Sequence, residues 1–249
     1  MGNVLITGAT SGIGYALAQV FAKEGYDLIL VGRDEEKLKR TKMSLEATSK
    51  VHTIVSDLST KEAATMIYKQ VKEKGLRVDI LVNNAGAGIV GEFCEYSLEK
   101  DLELIQLNMV SLTLLTKYFA KEMKERGSGK ILNVASTGAY HPGPYTGLYY
   151  ATKAYVLSLS EALYSELKPY HVRVSSLCPG ATKTAFAKAA GRENASFAMT
   201  ASFVAEKAYK GLIKGKRTIV PGMLNKLFIK LPRPLGAYFI GRYQNSLKN

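Results

Sequence analysis

Tyr149 and Lys153 are four positions apart in a segment whose apolar spacing predicts a helix. Their side chains should therefore project from one face of that helix, about one turn apart. A tyrosine ionises near pH ~10 and is a poor base at neutral pH, but a neighbouring ammonium stabilises the phenolate and lowers that pKa. The pair therefore predicts that Tyr149 is an acid/base whose pKa is tuned by Lys153.

Two further polar residues are suited to act beside this pair. Ser136 follows a short apolar strand that ends at Val134, so its hydroxyl should lie at the carboxyl edge of a sheet, where it can hold a substrate oxygen. Asn108 lies within a predicted apolar helix, where an amide is unfavourable unless it has hydrogen-bond partners. A helix cap and a core amide are the alternatives for these two residues. A chain with 15 tyrosines also contains Tyr-x-x-x-Lys spacings by chance.

A glycine-rich turn precedes the first predicted helix. Residues 7–14 read Thr-Gly-Ala-Thr-Ser-Gly-Ile-Gly and lie between an apolar strand at 3–7 and a helix at 13–23. Glycines allow the backbone to approach a phosphate closely, and the helix N-terminus offers N–H groups and a positive dipole. The turn predicts a pyrophosphate site, and a plain strand-to-helix turn is the alternative. The predicted contacts are Gly8, Thr10, Ser11, Gly12, Ile13 and Gly14.

The spacing Gly8-x-x-x-Gly12-x-Gly14 resembles the cofactor turn of the classical short-chain dehydrogenases/reductases. It differs from the Gly-x-Gly-x-x-Gly of many other dinucleotide-binding domains. The resemblance extends over about residues 3–220, and it implies a Rossmann-type fold, a nicotinamide cofactor and hydride transfer to or from a carbonyl or alcohol carbon.

The four catalytic positions of that family are filled in order by Asn108, Ser136, Tyr149 and Lys153. The resemblance implies that Tyr149 gives a proton to the substrate oxygen, or removes it in the reverse direction, while Ser136 polarises that oxygen. It also implies that Lys153 binds the nicotinamide ribose and that Asn108 positions a water linking the lysine to solvent.

Three other segments resemble the family's cofactor contacts. Residues 57–58 resemble the adenine-contacting pair, 83–86 the Asn-Asn-Ala-Gly segment beside the cofactor, and 179–184 the nicotinamide loop. A helix cap, a polar turn and a simple strand break are the respective alternatives. The predicted contacts are Asp57, Leu58, Asn83, Ala85, Gly86, Pro179, Gly180, Thr182 and Thr184, together with Tyr149 and Lys153.

The end of the second strand indicates which nicotinamide cofactor is bound. An acidic side chain there would accept hydrogen bonds from the adenosine ribose, whereas an arginine would pair with a 2′-phosphate. In NAD-preferring relatives an Asp usually occupies the position of Gly32, and here Arg33 follows that glycine. We therefore expect NADP(H). Asp34 is expected to cap the next helix, and an ordinary surface charge is the alternative for Arg33.

Short apolar strands alternate with helical segments along the chain from residue 3 to residue 220. Such strands indicate a parallel sheet covered on both faces. We predict an α/β fold, a single Rossmann-type doubly wound sheet with strand order 3-2-1-4-5-6-7 and helices on both faces. One long helix is expected at about 99–126, and the seventh strand at 218–220. Residues 1–222 are expected to form one dinucleotide-binding and catalytic domain.

Composition limits the class of protein and its location. Hydrophobic residues make up 47% of the chain and charged residues 22%, which is ordinary for a globular protein. Two cysteines are too few for a disulfide framework or a structural zinc site, so we expect no metal. No signal-peptide pattern precedes the first strand, and we expect a cytoplasmic protein.

Residues 223–249 are expected to form a basic amphipathic extension. The net charge of +13 is concentrated towards the C-terminus, with no acid after Glu206. Charges and two prolines exclude a spanning helix, which needs about 20 apolar residues. Three interpretations stay open: a cover for the pocket or a dimer interface, a peripheral contact with an anionic membrane, which is less favoured, or a loosely ordered end. The tail lacks a recognisable nucleic-acid-binding motif, so no nucleic-acid partner is expected.

We expect a carbonyl reductase or alcohol dehydrogenase whose substrate is small to mid-sized and apolar. Residues 185–200, the expected cover of the pocket, are dominated by Ala and Phe. A 3-oxoacyl-thioester reductase is the alternative enzyme, and a non-catalytic NADP-binding sensor is the alternative of another class. Relatives are commonly dimers or tetramers, so a homo-oligomer is expected. Further candidates for lining the cleft are Tyr140, His141, Tyr145 and Phe186.

Overall fold

The computed structural model describes residues 2–184, 186 and 198–246. One parallel sheet contains seven strands: β1 (Asn3–Thr7), β2 (Asp27–Gly32), β3 (Val51–Val55), β4 (Ile80–Asn83), β5 (Gly129–Val134), β6 (Val172–Leu177) and β9 (Thr218–Ile219). Their order is β3-β2-β1-β4-β5-β6-β9, which confirms the predicted doubly wound topology. Two short strands that the sequence did not predict, at Thr182–Lys183 (β7) and Met199–Thr200 (β8), pair with each other outside this sheet.

Helices cover both faces of the sheet. They are α1 (Gly12–Lys23), α2 (Glu35–Leu45), α3 (Ala63–Glu73), α4 (Leu98–Ile105), α5 (Leu112–Glu125), α6 (Gly147–Leu167), α7 (Ala201–Ile213), α8 (Met223–Phe228) and α9 (Arg233–Ser246). Successive residues of β1 pack into different cores: Val4 and Ile6 into one, Leu5 into the other. This two-sided burial explains why the strands read as continuous apolar runs.

The predicted helix at 99–126 is interrupted. α4 and α5 are joined by a π-helical segment at Gln106–Ser111, which widens the turn around Asn108. A π segment is rare, and it occurs frequently at functional sites. Apolar periodicity could not predict the π segment, because the apolar residues of the helices on either side of it keep nearly the same spacing.

Candidate active site

The carboxyl ends of the sheet strands open into a cleft of about 1070 Å³. The cleft lies where the chain order reverses between β1 and its two neighbours β2 and β4. At such a switch point the loops leave in opposite directions, and doubly wound folds bind ligands in the crevice between them. The loops after β1, β2, β3, β4, β5 and β6 all contribute lining residues.

The turn after β1 requires glycine at each of its three glycine positions. Gly8 and Gly12 have φ of 64° and 54°, in the left-handed region that L side chains rarely adopt. A Cβ on Gly14 would lie 2.2 Å from the Gly8 carbonyl oxygen. Ser11 precedes α1 and makes no side-chain capping hydrogen bond. The start of α1 is therefore left uncapped by the Ser11 side chain and faces the cleft.

Asn84 fastens this turn to the end of β4. Its Nδ2 donates to the Thr7 and Gly8 carbonyl oxygens at 3.0 and 3.2 Å, and the Thr7 hydroxyl accepts from the Asn84 and Ala85 amides. Ala85 and Gly86 line the cleft beside it.

Asn83, which the sequence assigns to cofactor contacts, faces away from the cleft. Its Nδ2 donates to the Thr116 hydroxyl and to Asn133 Oδ1, each at 2.9 Å, and the residue is buried. Successive side chains of a strand point to opposite faces, so Asn83 and Asn84 cannot share the cleft. Asn84 is the asparagine of this segment that lines it.

The end of β2 presents two cations to the cleft. Asp34 caps α2, accepting from the Lys37 amide at 3.0 Å, and pairs with the Lys37 ammonium at 2.9 Å. These contacts hold the pKa of the Asp34 carboxyl below its usual value. Arg33 and Lys37 both line the cleft. Asp34 is thus engaged by its own helix, as predicted, while Lys37 is a cleft residue that no sequence motif had identified.

Asp57 and Leu58 line the cleft at the end of β3. Asp57 accepts from both the amide and the hydroxyl of Ser59, at 3.0 and 2.8 Å, in the turn before α3. The Leu58 carbonyl accepts from the hydroxyl of Ser111 at 2.6 Å. Asp57 therefore closes a turn and does not cap α3, whose N-cap residue is Glu62, and it keeps its position at the cleft.

Tyr149 and Lys153 project from α6 into the cleft, as their spacing predicts. Both are buried, and the Lys153 ammonium lies 5.8 Å from the centroid of the Tyr149 ring. Lys153 donates to the Val134 carbonyl oxygen at 2.8 Å. Burial lowers the pKa of Lys153 from 10.5 to about 8. The ammonium is therefore held at a fixed place beside the phenol ring by a group of the sheet.

Asn108 lies behind this pair in the π segment. Its amide is paired in both directions with Ala87, donating to the carbonyl at 2.9 Å and accepting from the N–H at 3.0 Å. Its Nδ2 also donates to the Thr152 hydroxyl on α6 at 3.1 Å. A Cβ on Gly86 would lie 3.1 Å from Asn108 Oδ1 and 3.3 Å from Lys153 Nζ. Asn108 therefore joins the loop after β4 to α6, next to the lysine.

Ser136 follows β5 and faces the cleft. Its hydroxyl accepts from the Gly138 amide at 3.0 Å, at the start of a 3₁₀ turn at Thr137–Tyr140. This bond uses one lone pair and leaves the hydroxyl proton to donate to an oxygen in the cleft.

Aromatic rings and a glycine surround Tyr149. Its ring meets Tyr150 edge-on with centroids 5.9 Å apart, and it lies 5.8 Å from Phe186. A Cβ on Gly88 would lie 3.0 Å from Phe186 and 3.2 Å from the Tyr149 ring. Tyr150 packs beside Tyr149, as expected, and these rings make this end of the cleft apolar.

The loop after β6 closes against the glycine turn. Pro179, Gly180, Thr182 and Thr184 all line the cleft. A Cβ on Gly12 would lie 3.0 Å from the Thr184 methyl group, so the two loops meet there. The predicted cover continues from this loop, and only Phe186 and residues 198–200 of it lie within the described part of the chain.

The C-terminal helices form the remaining wall, in a segment for which the sequence left three interpretations open. The lining residues are Leu224, Asn225, Phe228, Phe239, Ile240, Tyr243 and Gln244. His141 is not a lining residue but an anchor, since its Nε2 lies 3.0 Å from the Phe228 carbonyl oxygen. The spacing of Gly236, Ile240 and Gln244 marks the buried face of α9 and is the signal that could have identified this wall.

Two classes of site find no support in the described part of the chain. No group of three or more His, Cys, Asp or Glu side chains is gathered there as a metal site. None of its helices combines the length and hydropathy needed to cross a bilayer.

Comparison with known proteins identifies relatives of this chain. The family model for short chain dehydrogenases matches residues 2–195. The oxidoreductase YvrD of Bacillus subtilis is 36% identical over 202 residues, which cover 78% of this chain and 76% of the relative.

Two solved structures are similar to this chain over nearly its whole length. A short-chain dehydrogenase from Sphingobium yanoikuyae in complex with NADPH has a TM-score of 0.85 at 30% identity, covering 100% of this chain and 96% of that one. A short chain dehydrogenase/reductase from Burkholderia phymatum in complex with NAD has a TM-score of 0.84 at 27% identity, covering 92% of each chain. Similar proteins thus include both an NADPH and an NAD complex.

Proposed function

The chain belongs to the short-chain dehydrogenase family, and on that premise we propose that it is an NADP(H)-dependent oxidoreductase. Its reaction is hydride transfer between the nicotinamide and a carbonyl or alcohol carbon of a small to mid-sized apolar substrate. The observation that carries this proposal is the convergence of Tyr149, Lys153 and Ser136 on one cleft with the glycine turn.

The residues at the cleft fit a dinucleotide. Side chains at Gly8, Gly12 or Gly14 would meet Asn84, Thr184 or the Gly8 carbonyl oxygen, so these glycines allow the tight turn that brings backbone N–H groups close to a pyrophosphate. When bound, the nicotinamide supplies or accepts the hydride. The remaining protons of the Lys153 ammonium are suited to the ribose hydroxyls, since one proton is engaged by Val134.

Proton transfer at the substrate oxygen is assigned to Tyr149. The positive charge of Lys153 near its ring stabilises the phenolate that forms when Tyr149 gives up its proton. Ser136 donates a hydrogen bond to the same oxygen and stabilises the charge that develops on it. Asn108 holds the Ala87 backbone and Thr152 in place behind Lys153, and is proposed to position a water there.

Preference for NADP(H) is supported at the end of β2. Gly32 offers no carboxylate, and Asp34, the acid that follows Arg33, is engaged with Lys37. Arg33 is exposed at the cleft and has no ion pair among the described residues. A guanidinium in this position is suited to pair with a 2′-phosphate.

The substrate class follows from the other end of the cleft. Phe186, Phe228, Ile240 and Leu224 line it together with Tyr150, so a carbonyl compound with a sizeable apolar body fits best. We also propose a cytoplasmic homo-oligomer. Leu98 and Leu102 on α4 are exposed apolar side chains suited to a subunit contact.

The test is to follow NADPH absorbance with a panel of aldehydes, ketones, quinones, steroids and acyl thioesters. Tyr149→Phe should abolish turnover while NADPH binding, followed by fluorescence, is preserved. Tyr164→Phe on the same helix is the matched control and should keep turnover. Unchanged turnover in Tyr149→Phe would refute the assignment.

A further inference from the structure

The outer side of the two C-terminal helices carries an unusual concentration of exposed apolar side chains. Seven of the 16 exposed large hydrophobic residues in the described part of the chain lie between residues 223 and 243. We call this the tail surface, and it consists of Met223, Leu224, Leu227, Leu235, Tyr238, Phe239 and Tyr243. Contiguous exposed apolar patches are uncommon on monomeric proteins and mark interaction sites.

The spacing along α9 separates two faces. Leu235, Tyr238, Phe239 and Tyr243 follow each other at helical intervals and are exposed, whereas Ile240 and Gln244 are buried against the cleft. The helix is held by its inner face, because a Cβ on Gly236 would meet the His141 ring and one on Gly241 would meet Pro144. The outer aromatic face is thus presented by a helix whose orientation is fixed.

Basic side chains accompany this face. Lys226, Lys230, Arg233 and Arg242 are all exposed, and the chain has no acid after Glu206. None of the four takes part in an ion pair among the described residues. Arg242 donates to the Tyr238 hydroxyl at 3.0 Å, which joins a cation to the aromatic row. The surface therefore combines apolar area with uncompensated positive charge.

The tail surface is continuous with the opening of the cleft. Leu224, Phe239 and Tyr243 line the cleft and are exposed, at 75%, 52% and 39% of their surface. An apolar molecule on the outside can therefore reach the Tyr149 end of the cleft over an apolar rim. This link makes the surface part of the route to the active site.

The charge pattern distinguishes between possible occupants. A two-fold contact between two copies of this surface would place the same four cations against one another, and neither tail supplies an acid to offset them. An anionic membrane offers the opposite charge, accepts Leu and Phe into its acyl boundary, and places Tyr and Arg at headgroup level. The tail surface complements a membrane and repels a copy of itself.

We propose that the tail surface docks on an anionic lipid membrane and that the cleft takes its lipophilic carbonyl or alcohol substrate from that membrane. The second half of this statement rests on the proposed function, and the docking itself does not. Docking combines burial of the seven apolar side chains with attraction of the four cations to the anionic lipids. Replacing the apolar side chains by polar ones, or reversing the positive charges, should therefore weaken it.

Flotation with vesicles tests the docking without nucleotide or turnover. The full chain should float with vesicles of phosphatidylcholine and phosphatidylglycerol, and much less with phosphatidylcholine alone. Lys226→Glu/Lys230→Glu should weaken binding by more than about 25-fold, because each basic residue near such a surface contributes a factor of about five and the variant also adds two negative charges. Met223→Ser/Leu227→Ser/Tyr238→Ser, which spares the residues lining the cleft, should abolish flotation.

Matched controls lie on two other helices. Met43 and Met66 are exposed on α2 and α3, and Lys39 and Lys69 are exposed on the same helices. Met43→Ser/Met66→Ser and Lys39→Glu/Lys69→Glu should bind vesicles as the unchanged chain does. Equal flotation of the tail variants and the controls, or no flotation of the unchanged chain, would overturn the proposal.

Two further measurements distinguish membrane docking from self-association and from a loss of catalysis. If the unchanged chain is an oligomer that Met223→Ser/Leu227→Ser/Tyr238→Ser converts into a smaller species, the occupant is a second copy and the membrane proposal is wrong.

In the same variant, kcat/KM should be unchanged for a short water-soluble ketone and lowered for a long-chain ketone presented in anionic vesicles. Absence of turnover with both ketones in the unchanged chain would count against the proposed function and would leave the flotation result standing.

Discussion

The ammonium of Lys153 lies 2.8 Å from the carbonyl oxygen of Val134, and this hydrogen bond fastens α6 to the last residue of β5. It fixes the depth at which the lysine is buried and therefore the place of its charge beside Tyr149. The same burial lowers the pKa of Lys153 to about 8. The arrangement thus places a cation where it assists the phenol at a cost in stability.

The pH dependence of unfolding should show this cost. The folded-state pKa of Lys153, about 8, is lower than its unfolded value of 10.5, so the unfolded chain binds more protons between those two pH values. The contribution of Lys153 to the free energy of unfolding should therefore rise with pH in that window, by up to about 1.4 kcal/mol per pH unit. Denaturant unfolding of the protein without nucleotide at pH 7 to 10 measures it.

The Lys153→Met variant separates the contribution of the lysine to this pH dependence from the contributions of other titrating groups. One of these is Cys178, whose pKa is raised by burial to about 11. The variant should unfold at a higher denaturant concentration than the unchanged protein at pH 7, and the difference should shrink as the pH rises. A difference that stays constant from pH 7 to 10 contradicts the assigned pKa direction.

Cofactor preference should depend on Arg33. Replacing it by Gln removes the charge that is suited to the 2′-phosphate, and a hydrogen bond to a charged group contributes about 1.5–3 kcal/mol. We expect the Kd for NADPH to rise roughly tenfold to a hundredfold, with little change for NADH. Arg40→Gln, an exposed arginine on α2 outside the cleft, is the control. Equal losses for the two nucleotides would exclude discrimination by Arg33.

The fold and the core of the site were predictable because each had a local signal. Continuous apolar strands alternating with helices indicated a parallel sheet, and the i,i+4 spacing put Tyr149 and Lys153 on one face. Asn83 points away from the cleft because of the face of β4 on which its side chain lies. Since Asn84 is the same residue type at the next position, the sequence could not tell which of the two asparagines lines the cleft. The π segment at Gln106–Ser111 and the docking of α9 depend on tertiary contacts, which no short pattern encodes.

Gly14 should be irreplaceable even by alanine. A Cβ there would lie 2.2 Å from the Gly8 carbonyl oxygen and 2.4 Å from Asn84 Nδ2, so the turn must shift. We expect Gly14→Ala to lower the free energy of unfolding by about 1–3 kcal/mol and to weaken NADPH binding more than tenfold, in roughly the range of other overpacking changes. Gly147→Ala, at the start of α6 with open space around its Cβ, is the control for both measurements. Wild-type NADPH binding in Gly14→Ala would show that the turn adapts.

Gln244 should select substrates with a second polar group. The residue lines the cleft from α9, it is 2% exposed, and its Oε1 has no hydrogen-bond partner among the described residues. A buried amide without a partner is unfavourable, so a substrate hydroxyl that satisfies it gains affinity that a plain ketone lacks. We expect kcat/KM to favour a hydroxylated ketone over its plain counterpart about tenfold, and Gln244→Leu to remove that preference. Asn245→Leu, at the exposed neighbouring position, should keep it. The same ratio of kcat/KM values in Gln244→Leu and in the unchanged enzyme would mean that the amide faces no substrate.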